Sequence, residues 1–297
     1  MRLAFGLGLM VLAGCKSLAA QETGRLENPL IVEASGLANS AFSPSRYWTL
    51  NDGGNAPILY ALGSKGEHLG SLKLSGVDNV DWEDLGVFDI AGERYLVVAD
   101  IGDNAGKRES VSLHLIKEPE ELNDSQVTMP VDASLRFRYP DGPRDAEALA
   151  VSGDYAYVLS KRTRPPVLYR LPIERAFDEA PNTPLVAERL GTVETLPKPT
   201  AAELTAAPLT GVYAWQPTAM SIRHDGTAAV ILTTRNAYVY KRNASEDWLQ
   251  TFAQPPQVRA LSERLDAESV CFSPNGKTFL TTTEAKHAAL FFHTLDE

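Results

Sequence analysis

Short apolar runs separated by turn residues follow one another through most of the chain, and one brief pattern of polar and apolar positions recurs at their starts. It reads Ser35-Gly36-Leu37-Ala38, Glu83-Asp84-Leu85-Gly86, Glu147-Ala148-Leu149-Ala150, Thr218-Ala219-Met220-Ser221 and Glu268-Ser269-Val270-Cys271. Each copy has a polar lead, a small or short residue, an aliphatic residue or Met, then a small one. Two positions before the leads stand Glu33, Asp81, Asp145, Gln216 and Asp266. The copies are spaced by 48, 64, 71 and 50 residues, close to the period of four-stranded propeller blades, with insertions in the middle two. The runs that follow agree from copy to copy. Second strands read YWTLND, YLVVAD, YAYVLSKR, AAVILTTR and TFLTTTEA, and third strands PILYALG, VSLHLIKEP, VLYRLP, AYVYKR and ALFFHT. They are rich in β-branched and aromatic residues and punctuated by turns such as Asp225-Gly226 and Asn275-Gly276. Helical periodicity is confined to Glu174–Glu179 and Gln257–Leu265.

The last copy has only three strands before Glu297, so its blade is one short. The segment 25–32 is expected to supply the missing edge, because closing a ring through the two chain ends hides two unpaired strand edges at once. The pattern predicts an all-β chain, a β-propeller of five four-stranded blades over residues 25–297, with a sixth if the interval between Glu147 and Thr218 hides a degenerate blade. A β-sandwich is the alternative architecture.

In such a ring the first strand of each blade lies nearest the axis. The second runs antiparallel to it and ends where the first began. Two sets of polar residues therefore converge on one mouth of the channel: Asp81, Glu83, Asp145, Glu147, Asp266 and Glu268 from the inner strands, and Asn51, Asp52, Asp100, Asp103, Asn104, Lys161, Arg162, Arg235, Glu284 and His287 from the second. Blades one, two and five bring mostly acids, while blades three and four bring Lys161, Arg162 and Arg235. Clustered carboxylates repel one another unless a proton or cation compensates. Calcium is the cofactor this chemistry suits, with its several oxygen ligands in adaptable geometry. Lys161, Arg162 and Arg235 would orient an anionic substrate group, and Glu83, Glu147, Glu268 or His287 would carry proton transfer. The competing reading is structural, with inner-strand acids accepting backbone N–H groups and pairing with the arginines. The DIGDNAG stretch reads either as a short calcium loop or as an acidic turn, since Val111 stands where the bidentate Glu of an EF-hand belongs. Trp48 and Trp82 read as packing residues near the blade starts.

Composition narrows the partners. A formal charge of −10 and a pI near 5.1 disfavour nucleic acid. There is no P-loop, H-E-x-x-H, C-x-x-C or G-x-S-x-G motif. The N-terminus, MRLAFGLGLMVLAGC, has one positive charge and an apolar run too short for a stable membrane span. Leu12-Ala13-Gly14-Cys15 resembles a bacterial lipobox. The resemblance implies a signal peptide over residues 1–14, lipidation of Cys15, a tether over 15–24 and, with Lys16 next, the outer membrane; a simple secretory signal cut near Ala19-Ala20-Gln21 is the alternative. The membrane would then be met through the lipid alone. Cys271 would be left without a disulfide partner, as a buried small hydrophobe.

The segments SGLANS with WTLNDGG, NVDWEDL, YLVVADIGDN, YPDGPRDAEAL and DAESVCF together resemble a group of secreted bacterial β-propeller proteins, over about Glu33 to Phe292. More remotely they are similar to the calcium-dependent phosphotriesterase, lactonase and phytase-like propellers, which usually have six blades. The remoter resemblance implies calcium in the channel, with Glu83, Glu147 and Glu268 as first ligands and Asp52, Asp100 and Asn104 around them. Ser35 and Thr218 interrupt that ring of carboxylates. Two functions follow: a metal-dependent phosphoester or lactone hydrolase of the cell envelope, or a non-enzymatic propeller that binds an envelope protein or polymer.

Overall fold

Alternating runs of the kind just described need a partner on each face. In the computed structural model, which describes residues 20–122, 125–178, 183–198, 200–206, 215–261 and 267–295, each finds it in the next blade. Five sheets stand around one axis. From the axis outward, blade one is Ala34–Asn39, Arg46–Asn51, Ile58–Gly63 and His68–Ser75. Blade two is Trp82–Ile90, Glu93–Asp100, Val111–Lys117 and Ala133–Arg138. Blade three is Ala146–Ser152, Tyr155–Ser160, Val167–Pro172 and Glu188–Thr192, and blade four is Pro217–Ile222, Ala228–Thr233, Asn236–Lys241 and Gln257–Ala260. Blade five is Ala267–Phe272, Thr278–Thr283 and Ala289–Thr294, completed by the N-terminal strand Gln21–Arg25.

The innermost strands touch in the order one, two, three, four, five and back to one. The ring is closed, and the fold is a five-bladed propeller. Five separate apolar clusters fill the five spaces between adjacent blades, for example Trp48, Leu50, Trp82, Leu96 and Ile116 between blades one and two, and Ala219, Val230, Leu232, Val270 and Phe279 between four and five. Trp48 and Trp82 are fully buried, as packing residues, and Cys271 is a buried free thiol.

Three expectations need correction. The closing strand is Gln21–Arg25, not residues 25–32, so residues 21–24 belong to the sheet and not to a tether. An edge strand contributes backbone hydrogen bonds and needs no apolar face, whereas Leu26 and Ile31 of the later segment are buried in the apolar cluster between blades five and one. The Gln257–Leu265 helix is absent over its described part: Gln257–Ala260 is the outer strand of blade four, paired with Asn236–Val239. The long middle intervals hold no sixth sheet among the described residues. Part of their length goes into Gln126–Pro130, which adds in parallel to the outer edge of blade one, and Leu185–Val186, which does the same for blade two. Each insertion thus covers an edge that would otherwise be open.

Candidate metal centre at the channel mouth

One irregularity repeats in all five blades. The register between first and second strands slips across Ser35/Leu37, Trp82/Asp84, Ala146/Ala148, Pro217/Ala219 and Ala267/Ser269. Each slip is a β-bulge at the lead residue or the one after it. A bulge leaves one residue out of the ladder and re-aims its side chain. In blades two, three and five the residue so released is Glu83, Glu147 or Glu268.

The acids do come together. Carboxylate oxygens of Asp52, Asp81 and Glu83 lie within 4.8 Å of one another, and those of Glu83, Asp145 and Glu147 form a second such trio. Glu83 belongs to both and is 5% exposed. The trios differ in their counter-ions. Asp145 Oδ2 accepts from Arg162 Nε at 2.6 Å, and Glu147 pairs with the Lys161 ammonium. Asp100, beside them, pairs with Arg108 Nη2 at 2.7 Å and faces His114 Nε2 at 3.9 Å. Among the described residues no ion pair reaches Asp52, Asp81 or Glu83.

Burial is the first cause of the shifts at these acids, paired or not. Burial first, then the charges of its neighbours, pushes Asp52 up to about 6, with Glu284 the main repulsive group. Asp81 is also pushed up to about 6, by burial and then by Asp52. Glu83 stands well above the usual carboxylate range, through burial and then Glu147 and Asp52. Glu147 is raised as well, by burial and by Glu268 and Asp145, although Lys161 opposes the shift. Burial also pushes Asp100 up, but His114 and Arg108 outweigh it and the net shift is downward.

Two glycines make room for the unpaired trio. A Cβ on Gly102 would lie 2.2 Å from Glu83 Oε1 and 2.5 Å from Asp81 Cγ, and one on Gly53 would lie 2.3 Å from Asp81 Oδ1. Asn79 holds the loops that carry the acids: its Nδ2 donates to Asn51 O at 3.0 Å and Asp52 O at 2.9 Å, and its Oδ1 accepts from Trp82 N at 3.1 Å. Replacing Gly102 with Ala should therefore displace the Asp81 and Glu83 carboxylates while leaving the blades intact. If the cluster holds a divalent cation, titration of Gly102→Ala should show affinity lower by about tenfold or more, in the range for disturbed ligand orientation, with a circular dichroism spectrum like that of the parent.

Other candidate residues lie apart from this trio. Asn104 is exposed, and its Oδ1 accepts from Arg162 Nη2. Asp103 accepts Lys107 N and Arg108 N, each at 2.8 Å, so DIGDNAG is an acidic turn. Glu268 is half-buried and repels Glu147 without joining either trio. Arg235 is half-buried at the equivalent point of blade four, its carbonyl oxygen accepting Leu261 N. Lys161, expected at the rim to meet substrate, instead lies among the acids as the partner of Glu147. His287, expected to be a base, sits on the closing seam in a left-handed backbone conformation (φ 51°), with Nδ1 on Leu26 O at 2.9 Å. Asp266 and Cys15 lie outside the described residues.

Asp84, the third carboxylate of NVDWEDL, has a different task. Inner-strand edges turn unpaired N–H groups toward the axis. Asp84 is fully buried and accepts three of them, from Leu85 at 2.8 Å, Leu149 at 2.7 Å and Met220 at 3.3 Å. Burial keeps its pKa high against the downward pull of these bonds. Its side chain ties together the inner strands of blades two, three and four between the acid mouth and a cavity of about 280 Å³ lined by the far halves of the inner strands. The molecule is thus a five-bladed propeller with a buried acidic cluster that could hold a metal ion. No protein-family profile matches the chain, and comparison with curated proteins finds no match.

Proposed function

We propose that the mouth is a divalent-cation site, with calcium as its ion and Asp52, Asp81 and Glu83 as its protein ligands. The observation that carries this reading is the contrast between the trios: three neighbouring carboxylates lack an ion pair while the acids next to them each have one. Hard oxygen donors, and glycines that leave space beside them, suit calcium rather than a softer metal. A bound cation would act there as a Lewis acid toward a substrate oxygen. Arg162 stands exposed at the rim beside Asp145 and can meet an anionic group. Glu147, raised in pKa and held by Lys161, is the carboxylate placed to take a proton from water. That set fits hydrolysis of a phosphoester or lactone. We further read the chain as an envelope lipoprotein anchored through Cys15, as its N-terminal sequence implies.

One observation favours a second reading, a non-enzymatic binding propeller. Arg108, Lys161 and Arg162 already neutralise Asp100, Glu147 and Asp145, as a purely structural network would. Calorimetric titration of the metal-free protein with calcium, followed by turnover assays on phosphoester and lactone panels, separates the two. Saturable binding with turnover supports the hydrolase, and absence of both supports the scaffold.

The pH dependence is also fixed in sign. Asp52 and Asp81 have folded pKa values near 6 against ordinary values of 3.8. The folded state therefore holds their protons more tightly than the unfolded state, and their contribution to stability is full below 3.8 and is lost as pH rises through 6. In EDTA the melting temperature should rise on acidification from pH 7 to pH 5, and calcium affinity should fall across the same interval. A flat profile in both would count against the site.

A further inference from the structure

The opposite face of the ring carries a local cluster of positive charge. There the turns between first and second strands of blades four and five, Arg223 to Thr227 and Asn275 to Lys277, border a cavity of about 830 Å³. In a chain of net charge −10 its lining has four cations, Arg223, Lys241, Arg242 and Lys277, against one acid, Asp225.

The two arginines are fixed. Arg223 Nε donates to Asp225 Oδ1 at 2.9 Å, and its Nη1 reaches across to Gly276 O in blade five at 3.4 Å. Gly276 makes that approach possible, since a Cβ there would lie 2.7 Å from Arg223 Cδ. Arg242 stacks over the Trp248 ring at 5.1 Å and donates to Glu246 O at 2.8 Å and Gly226 O at 3.0 Å. The lysines are different: among the described residues neither Lys241 nor Lys277 has a side-chain ion pair or hydrogen bond. Asn275 uses its Oδ1 to accept Lys277 N and Ser273 Oγ, which leaves its NH2 as a donor. Pinned guanidiniums, two uncommitted ammonium groups and an amide donor around one cavity are the elements of an oxyanion site.

We infer that this groove between blades four and five binds a phosphate group, borne either by a soluble phosphorylated molecule or by a lipid headgroup. The site is independent of the acidic mouth, so it is tested in EDTA. Inorganic phosphate and pyrophosphate titrated calorimetrically into the full chain should give saturable binding that weakens steeply with salt. Lys241→Gln together with Lys277→Gln should weaken it by about tenfold or more without lowering the melting temperature, because both side chains are exposed. Flotation with phosphatidylglycerol vesicles, against phosphatidylcholine vesicles, assigns the source: anionic vesicles alone point to a headgroup, free phosphate alone to a soluble ligand. The proposal fails if neither probe binds, or if the double variant binds as the parent does.

Discussion

Asp84→Ala should lower the unfolding free energy by about 3 kcal/mol, the sum of a few buried N–H groups left unsatisfied at roughly 1–3 kcal/mol each. The carboxylate accepts Leu149 N and Met220 N from two other blades, so its loss strips acceptors from the centre of the ring, where no strand can supply them. Two effects pull the other way. Burial strains the carboxyl itself, as its raised pKa shows, and water entering from the 280 Å³ cavity can satisfy part of the deficit. Neither restores a link between three blades. Asp84→Asn retains one carbonyl acceptor and should cost less than half as much. Equilibrium urea unfolding of the three proteins checks the order, and a parent-like midpoint for Asp84→Ala would show that the side chain merely fills space.

The role of Asp84 was not legible in the sequence, although its neighbours were. Glu83 and Glu147 could be placed together because the repeat fixes which strand is innermost and where it starts, and the antiparallel return of the second strand brings Asp52 to the same mouth. The five blades were readable for the same reason: small and aliphatic residues recur where inner strands crowd at the axis. What escaped depends on relations that no single segment encodes. Asp84 acts on N–H groups of Leu149 and Met220, far away along the chain. Gly53 and Gly102 act through an atom they lack. The bulges are properties of a strand pair. Lys161 stands in a row of rim residues by position, yet the burial of Glu147 draws it inward. His287 has a base's chemistry, but the turn before blade five's third strand hands it to Leu26 instead. The closing strand, QETGR, carries no apolar alternation because its one duty is to pair backbone with Ala289–Phe292.

Glu83→Gln should change two quantities in opposite directions. Glu83 is the carboxylate common to both trios, and its charged form is opposed by burial and then by the charges of Glu147 and Asp52. Without metal, replacing it with a neutral isostere removes that repulsion, so the protein in EDTA should melt higher, by about 2–4 °C for each kcal/mol relieved in a domain near this size. At the proposed calcium site the same change would remove a shared charged ligand, and calcium affinity should fall by more than about a hundredfold, beyond the 10–100-fold typical of lost supporting contacts. The calcium-induced rise in melting temperature, which grows with the logarithm of ligand concentration over Kd, should then vanish. A structural network predicts otherwise. If Glu83 existed to hold blades together, Glu83→Gln would melt lower in EDTA and calcium would move neither protein. Scanning calorimetry of both proteins, with EDTA and with calcium, thus distinguishes a site that stores repulsion for a cation from one whose charges serve the fold alone.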